Sequence, residues 1–456
     1  MVQSKGEINF VDTTIRDGNQ SLWDATGLNT AMILAIAPEI DRVGFQAVDF
    51  MTGMHMAVSV RWHKENPWEK MRLVNKAMPN TPLRFGGTGR RFMGWKRVPE
   101  SVMTLALELI IASGVKQVWI SEPSFDVDHI SRQAELTQKA GADKFIVALP
   151  YTISPIHSDE YYAQKTGEIA ASPYVDAMYI KDPGGLLTAD RLRTLVPAIQ
   201  RSINGLPLEI HSHCNTGLAP LVYLEALQLG IRTVHTASSP LANGTSQPST
   251  ENILKNARRL GYSAGLDEAA LEAMATHFRN VAEKQGRPLG APVEYDVYYY
   301  EHQVPGGMLT TLKRQLTETK MEDRLEEVLR EIIQVRKELG YPIMVTPFSQ
   351  FVGSQATMNV ITGKRYSQVP TQVIEYVAGN YGAPPAPIDQ NVMDMISSQP
   401  QAKSILSAGT AEPTIEELRQ KIGLSYSDEE FLIRLALTDK EVDNMIAAGP
   451  IKMEYP

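Results

Sequence analysis

The chain has almost no cysteine. One thiol, Cys214, in 456 residues forms no internal disulfide, so the fold rests on a buried core and not on covalent staples. No apolar run approaches the ~20 residues of a membrane helix, and no signal-peptide apolar region follows Met1. Basic residues are in the minority: 44 Lys and Arg stand against 52 Asp and Glu, and the net charge of −8 carries no basic stripe. That balance argues against nucleic acid as a partner. Internal repeats and low-complexity segments are missing as well. Together these absences predict a soluble, cytoplasmic protein without a membrane segment. What remains is ordinary globular material, 43% hydrophobic, long enough for one large domain plus one or two smaller ones.

Apolar, β-branched runs recur with amphipathic stretches between them. The runs predict strands at Ile8–Asp12, Ala47–Phe50, Pro82–Phe85, Gln117–Ile120, Phe145–Leu149, Ala177–Ile180, Leu208–His211 and Thr233–Thr236. Helical patterns include Thr30–Val43, Glu100–Ala112, Ile130–Lys139 and Asp190–Ile203. Strand and helix alternating at roughly 30-residue spacing predict a closed α/β structure, a (β/α)8 TIM barrel. A doubly wound open sheet is the alternative, but Gly86-Gly-Thr-Gly89 lacks a full dinucleotide fingerprint. The pattern changes after residue 290. A charge-dense helical stretch, Arg314–Leu339, precedes Pro342, Pro347 and a Gly-rich section to Pro387. The expected division is a barrel over 1–290, a mainly α-helical domain over 291–395, and a helical tail over 396–456 available for subunit docking. Pro384-Pro-Ala-Pro387 reads as a stiff linker, and Thr414 with Glu417 as a capping box.

Polar residues sort to one end of the predicted strands. Asp12-Thr-Thr-Ile-Arg-Asp17-Gly-Asn-Gln20 follows the first, Glu122 the fourth, Lys181 and Asp182 the sixth, His211 and His213 the seventh, and Thr245 to Gln247 the eighth. These are the C-terminal ends, where barrels build active sites. Carboxylates and a guanidinium this close are costly to bury unless paired or metal-bound; a solvated Asp-Gly turn is the plain alternative. His211-Ser-His213 on a strand sends both imidazoles to one side, suited to two ligands on one metal. Lys181 beside a cation would be repelled as an ammonium, whereas carboxylated by CO₂ it is an anionic oxygen donor. A salt bridge to Asp17 or Glu122 is its other reading. Asp, carboxylated Lys and two His suit zinc first, with manganese or cobalt next. Cys214 faces away as a small packed residue. Thr245 has a structural reading too, as the cap of a helix beginning near Pro248.

At this point the chain resembles a known family, the carboxyltransferase component of biotin-dependent pyruvate carboxylase, oxaloacetate decarboxylase and transcarboxylase. Residues that carry the resemblance are Asp12 to Ser21, Asn66-Pro-Trp-Glu69, Ile180-Lys-Asp-Pro-Gly-Gly-Leu-Leu187, His211-Ser-His213 and Thr245-Ser-Gln-Pro-Ser249. It continues through His302-Gln-Val-Pro-Gly-Gly307, Val345-Thr-Pro347, Glu375-Tyr and Pro387-Ile-Asp389, covering about residues 5 to 390. The resemblance implies a barrel followed by a mainly helical domain, with metal ligands Asp17, carboxylated Lys181, His211 and His213. It implies that Arg16 and Gln20 face substrate oxygens and that Thr245 relays a proton. It also implies a homodimer within a larger complex.

Several pocket positions depart from the family pattern. Asn19 stands where a histidine is usual, Gly27-Leu28 for Arg-Met, Met51 to His55 for Gly-Gly-Ala-Thr, and Ser121-Glu122 for Phe-Asp. The arginine that grips the acceptor carboxylate is matched by Arg84, or by Arg90 or Arg91 if Gly86–Arg91 is an insertion. Pyruvate or oxaloacetate is therefore the default acceptor, and another enolisable carbonyl compound the alternative. No Ala-Met-Lys-Met biotinylation site occurs, so biotin is expected in trans on a carrier protein, charged by a separate biotin carboxylase subunit. Two rivals remain, a metal-dependent Claisen-type synthase or lyase and a non-catalytic assembly subunit.

Overall fold

The computed structural model describes residues 5–94, 97–318, 320–406 and 412–455. Eight parallel strands close a barrel in chain order: β1 (Asn9–Asp12), β2 (Ala47–Thr52), β3 (Leu83–Gly87), β4 (Gln117–Ser121), β5 (Lys144–Pro150), β6 (Ala177–Asp182), β7 (Leu208–Ser212) and β8 (Thr233–Thr236), with β8 back on β1. Each lies within two residues of its expected span. The commonest change is growth at the C-terminal end, where Thr52, Ser121, Asp182 and Ser212 take the last ladder positions. Ladder hydrogen bonds accept polar side chains as readily as apolar ones, so hydrophobicity alone stops short. The expected Thr30–Val43 helix is two, Thr30–Leu34 and Ala37–Val43, because Pro38 opens the second and has no N–H to continue the first.

The outer face of the strands is apolar and packs on the surrounding helices in one core. The inside is mixed. Trp119 and Tyr179 meet edge to face, with ring centres 6.1 Å apart, and Arg84, Glu209 and His235 are buried within the same barrel. Gly86 makes room for the indole: a Cβ there would come within 2.0 Å of Trp119.

A second core runs from Val304 to Ala402, past the expected boundary at 395. The helical stretch expected over Arg314–Leu339 is divided between two helices, Gly306–Glu318 and Leu325–Glu338; between them Lys320 takes φ 56° and Glu322–Arg324 forms a 3₁₀ turn. Thr319 of that stretch lies outside the described residues. The segment read as a stiff linker, Pro384 to Pro387, is held against the end of the Leu325–Glu338 helix: Ala386 N–H donates to Gly340 O at 3.2 Å and Asp389 N–H to Glu338 O at 2.9 Å. The unit joins the barrel through the loop after β5. Gln303 accepts from Thr152 Oγ1 and from the N–H of Ile153, and Arg336 Nη2 donates to Thr152 Oγ1 at 2.8 Å.

The end of the described chain returns to the barrel. Thr414 and Glu417 form the expected capping box. Phe431, Leu432, Val442 and Met445 are buried in the barrel core, Trp68 Nε1 donates to Glu429 O, and Arg61 pairs with Glu441. One side of the tail expected to be available for subunit docking thus packs on the protein's own barrel. No helix among the described residues is long and apolar enough to cross a membrane.

Candidate metal centre and active site

Beyond β1 the backbone makes a π turn, Thr14–Gly18, closed by Gly18 N–H to Thr13 O at 2.9 Å. Such turns add a residue to the helical repeat and are frequent at functional sites. Asp12 anchors the turn, accepting from Thr14 Oγ1 at 2.5 Å and Thr14 N at 3.3 Å. Arg16 and Asp17, consecutive in the turn, are both buried and touch, Nη2 to Oδ2 at 3.2 Å. Arg16 also grips Asp49 through Nε and Nη2 at 2.8 and 2.5 Å, and Asp49 accepts from Trp119 Nε1 at 2.9 Å.

Three ligand atoms converge. Asp17 Oδ2 lies 3.0 Å from His211 Nε2 and 3.5 Å from His213 Nε2, and the two imidazole nitrogens are 3.3 Å apart. Among the described residues this is the group of His, Cys, Asp and Glu side chains able to hold one ion. Burial works against the Asp17 charge, but the Arg16 guanidinium beside it holds its carboxyl well below the usual range. His213 Nδ1 stands 2.7 Å from Thr245 O; a carbonyl only accepts, so Nδ1 carries the proton and Nε2 presents a lone pair. Gln247 accepts from Thr13 Oγ1, which turns its Nε2 toward Asp17 Oδ2 and both histidine Nε2 atoms at 3.1, 3.3 and 3.1 Å. One amide nitrogen serving three facing acceptors marks where a cation belongs, so the donor set fits a divalent metal.

Lys181 on β6 is in register with His211 on β7, which puts the two side chains on one face of the barrel wall. Its ammonium pairs with neither Asp17 nor Glu122; Nζ sits 4.7 Å from the centre of the Trp119 ring. Burial first, and Arg16 second, bring its pKa down to about 8. A lysine in that state is available as the free amine that reacts with CO₂. Glu122 is engaged elsewhere, by Arg90 Nε at 3.0 Å and Ser124 Oγ at 2.8 Å. Asp182 is a loop anchor, accepting from Leu186 N, Leu187 N and Ser212 Oγ.

Thr245 is not a helix cap. Ser249 caps Thr250–Arg259, its Oγ accepting from Asn252 N. The Thr245 hydroxyl donates to Ser21 O at 2.7 Å, and Ser21 Oγ donates to Asp17 Oδ1 at 3.3 Å. The second unit reaches this point: a Cβ on Gly306 would come within 2.4 Å of Thr245 Cγ2 and 2.3 Å of Asn215 Oδ1. Gln20 follows the π turn, half-buried, in the short helix Asn19–Trp23. Cys214 is buried, and burial raises its thiol far above the ordinary value.

The three expected acceptor arginines part company. Arg84 is not at the rim: fully buried inside the barrel, it holds Glu209 with two bonds of 2.7 and 2.9 Å and donates to Gln117. Arg90 is committed to Glu122 and Asp126. Arg91 is buried with Nε unpartnered, its guanidinium 5.2 Å from the centre of the Tyr381 ring in the second unit. Sequence reasoning missed Asp49, Trp119, Glu209 and His235. Alternation along the strands was the available signal, since Glu209 precedes His211 by two and Tyr179 precedes Lys181 by two.

A family model described as the conserved carboxylase domain matches residues 299–445. The chain is 38% identical over 394 residues to the B subunit of pyruvate carboxylase from Methanocaldococcus jannaschii, covering 85% of this chain and 68% of that one. It is 30% identical to the 2-oxoglutarate carboxylase large subunit of Hydrogenobacter thermophilus, over 94% and 66% of the two chains. In fold it is similar to the carboxyl transferase domain of Rhizobium etli pyruvate carboxylase with pyruvate and biocytin, at TM-score 0.87 and 24% identity, over 98% of this chain and 79% of that one.

Proposed function

The chain belongs to the family of the pyruvate carboxylase B subunits, carboxyltransferase components of biotin-dependent carboxylases, and we propose that it moves a carboxyl group between carboxybiotin and an oxo-acid acceptor, pyruvate by default. The observation that carries this reading is the convergence of Asp17, His211 and His213 on one point, with Lys181 in register and the Thr245 backbone holding His213. Membership in the family sets aside the Claisen-type rival. The intact donor set and the threonine argue against a non-catalytic subunit.

Asp17, His211, His213 and carboxylated Lys181 would hold the metal, zinc first, which when bound supplies Lewis-acid stabilisation to the acceptor's carbonyl oxygen. The chain's own residues do the rest. Arg16, fixed by Asp49 and Asp17, presents positive charge to the oxygen on which enolate charge develops, with Gln20 beside it. Arg91, the arginine of the three without an ion pair, binds the acceptor carboxylate. Thr245 Oγ1 takes a proton from the acceptor methyl as it passes its own to the ureido nitrogen that has released CO₂. The enolate carbon then forms its bond to that CO₂. The hydroxyl must leave Ser21 O to do so. Closure by the second unit over Thr245 keeps water from the enolate.

The carboxyl donor comes on a separate biotinylated carrier, loaded by a biotin carboxylase subunit, and the carboxyltransferase itself is a homodimer. The test is oxaloacetate decarboxylation by the purified protein with free biotin, beside Thr245→Ala and a metal assay. Biotin-stimulated turnover lost in the variant, with metal retained, supports the assignment. Metal-loaded protein without biotin-dependent turnover overturns pyruvate as acceptor, and 2-oxoglutarate is then the next substrate to assay. Light scattering tests the dimer.

A further inference from the structure

Four buried side chains form a continuous line through the barrel to the metal-binding cluster. Arg84 donates to both oxygens of Glu209, Glu209 Oε2 lies 2.7 Å from His235 Nε2, and His235 Nδ1 lies 3.2 Å from His211 Nδ1. All four are at most 3% exposed. The direction of each bond follows from what its partners can do. Arg84 donates to both oxygens of Glu209, which marks them as a carboxylate pair of acceptors, so His235 Nε2 must donate. His235 Nδ1 is then a lone pair. Its partner, His211 Nδ1, must carry the proton, and His211 Nε2 is left bare, 3.0 Å from Asp17 Oδ2. Two acceptors that close need a cation between them.

We infer that His235, backed by Glu209 and Arg84, is a positioning residue that fixes His211 as its Nδ1–H tautomer and so sets the affinity of the centre for metal. The inference rests on the metal reading above. Metal-ligating imidazoles usually give their second N–H to a carboxylate or carbonyl. Here a second imidazole stands between ligand and carboxylate, and the guanidinium beyond it holds that carboxylate in place. The ring of His235 is held on its other side by Tyr179, at 4.9 Å between centres. The line also accounts for Arg84, whose place inside a barrel has no role in substrate binding.

The test is zinc affinity of the full chain, by competition with a chromophoric chelator, for the wild type, His235→Phe and His235→Gln, each with its Tm. His235→Phe removes the acceptor for Nδ1–H and is expected to weaken binding ~10–100-fold. His235→Gln offers a carboxamide oxygen in its place and is expected to recover most of the loss. Nitrogen-15 NMR of His211 should show a protonated Nδ1 in the wild type and in the Gln variant, and a mixture in the Phe variant. Unchanged affinity in His235→Phe, or equal losses in both variants, overturns the inference and leaves His235 a packing residue. If His235→Phe does not fold, Glu209→Met, which offers His235 Nε2–H no oxygen, carries the test, and unchanged affinity there has the same meaning. A wild type that binds no zinc, manganese or cobalt refutes the metal reading itself.

Discussion

The Lys181 ammonium lies over the Trp119 indole, 4.7 Å from its centre, and has no carboxylate for a partner among the described residues. A lysine buried near Arg16 is poised to lose its charge, and a carbamate would convert it from the odd member of the cluster into a fourth donor. Lys181→Ala should therefore lower metal affinity by more than the ~10–100-fold typical of an outer hydrogen-bond partner. Wild type equilibrated with bicarbonate should yield a trapped carbamate at Lys181 by mass spectrometry. A variant with full metal content would show that the lysine is no ligand.

Arg90 and Arg91 are neighbours with opposite expectations. Arg90→Ala leaves buried Glu122 without its ion pair and should cost stability, by ~3–5 kcal/mol if the pair behaves as other buried ones do. Arg91→Ala breaks no ion pair, so its Tm should move little while KM for the acceptor rises ~10²-fold, the effect of losing a charge-assisted anchor. Steady-state kinetics and thermal melts on the two variants separate the roles. A KM change in Arg90→Ala alone would reverse the assignment.

Gly306 lets the second unit approach Thr245. Gly306→Ala places a methyl 2.4 Å from Thr245 Cγ2 and should cost ~1–3 kcal/mol in strain, read as a lower Tm. Displacement of Thr245 by even an ångström should reduce kcat by up to ~10²-fold with metal content unchanged. Retention of full kcat would mean that the two units contact elsewhere during turnover.

Asp12 gives the fold a pH dependence of unusual sign for a carboxylate. Burial raises its pKa from 3.8 to about 7, partly offset by the Thr14 bonds, so between those values the folded chain holds a proton that the unfolded chain has lost. The contribution is present below 3.8 and is lost as pH rises to about 7, at up to ~1.4 kcal/mol per pH unit. Asp12→Asn should flatten that slope in melts between pH 5 and 7, a range taken at ~1 unit spacing. A variant melting with the wild-type slope would place the titration elsewhere.

The barrel was readable because its strands are buried on both faces and appear as unbroken apolar runs. The rim was readable for the same reason: Asp17, Lys181 and His213 interrupt those runs at their ends. The interior was not. Arg84 and Glu209 are 125 positions apart, and nothing in either strand says that they meet across the barrel. Read along the chain, Arg84 looks like a rim arginine; the register puts it two residues into β3, opposite Gln117. Where the final helices pack was not legible either. An amphipathic face is the same whether it will cover the chain's own barrel or another subunit, and the bond from Trp68 to Glu429 joins residues 361 positions apart.

Because Phe431 to Met445 rejoin the barrel, the helical unit is an insertion and not an appendage. A body held to its neighbour on both sides of its own sequence, and again through Gln303, Arg336 and Thr152, has fewer ways to part from it than one held at a single end. The placing of Gly306 beside Thr245 thus follows from the path of the chain as well as from the contact itself.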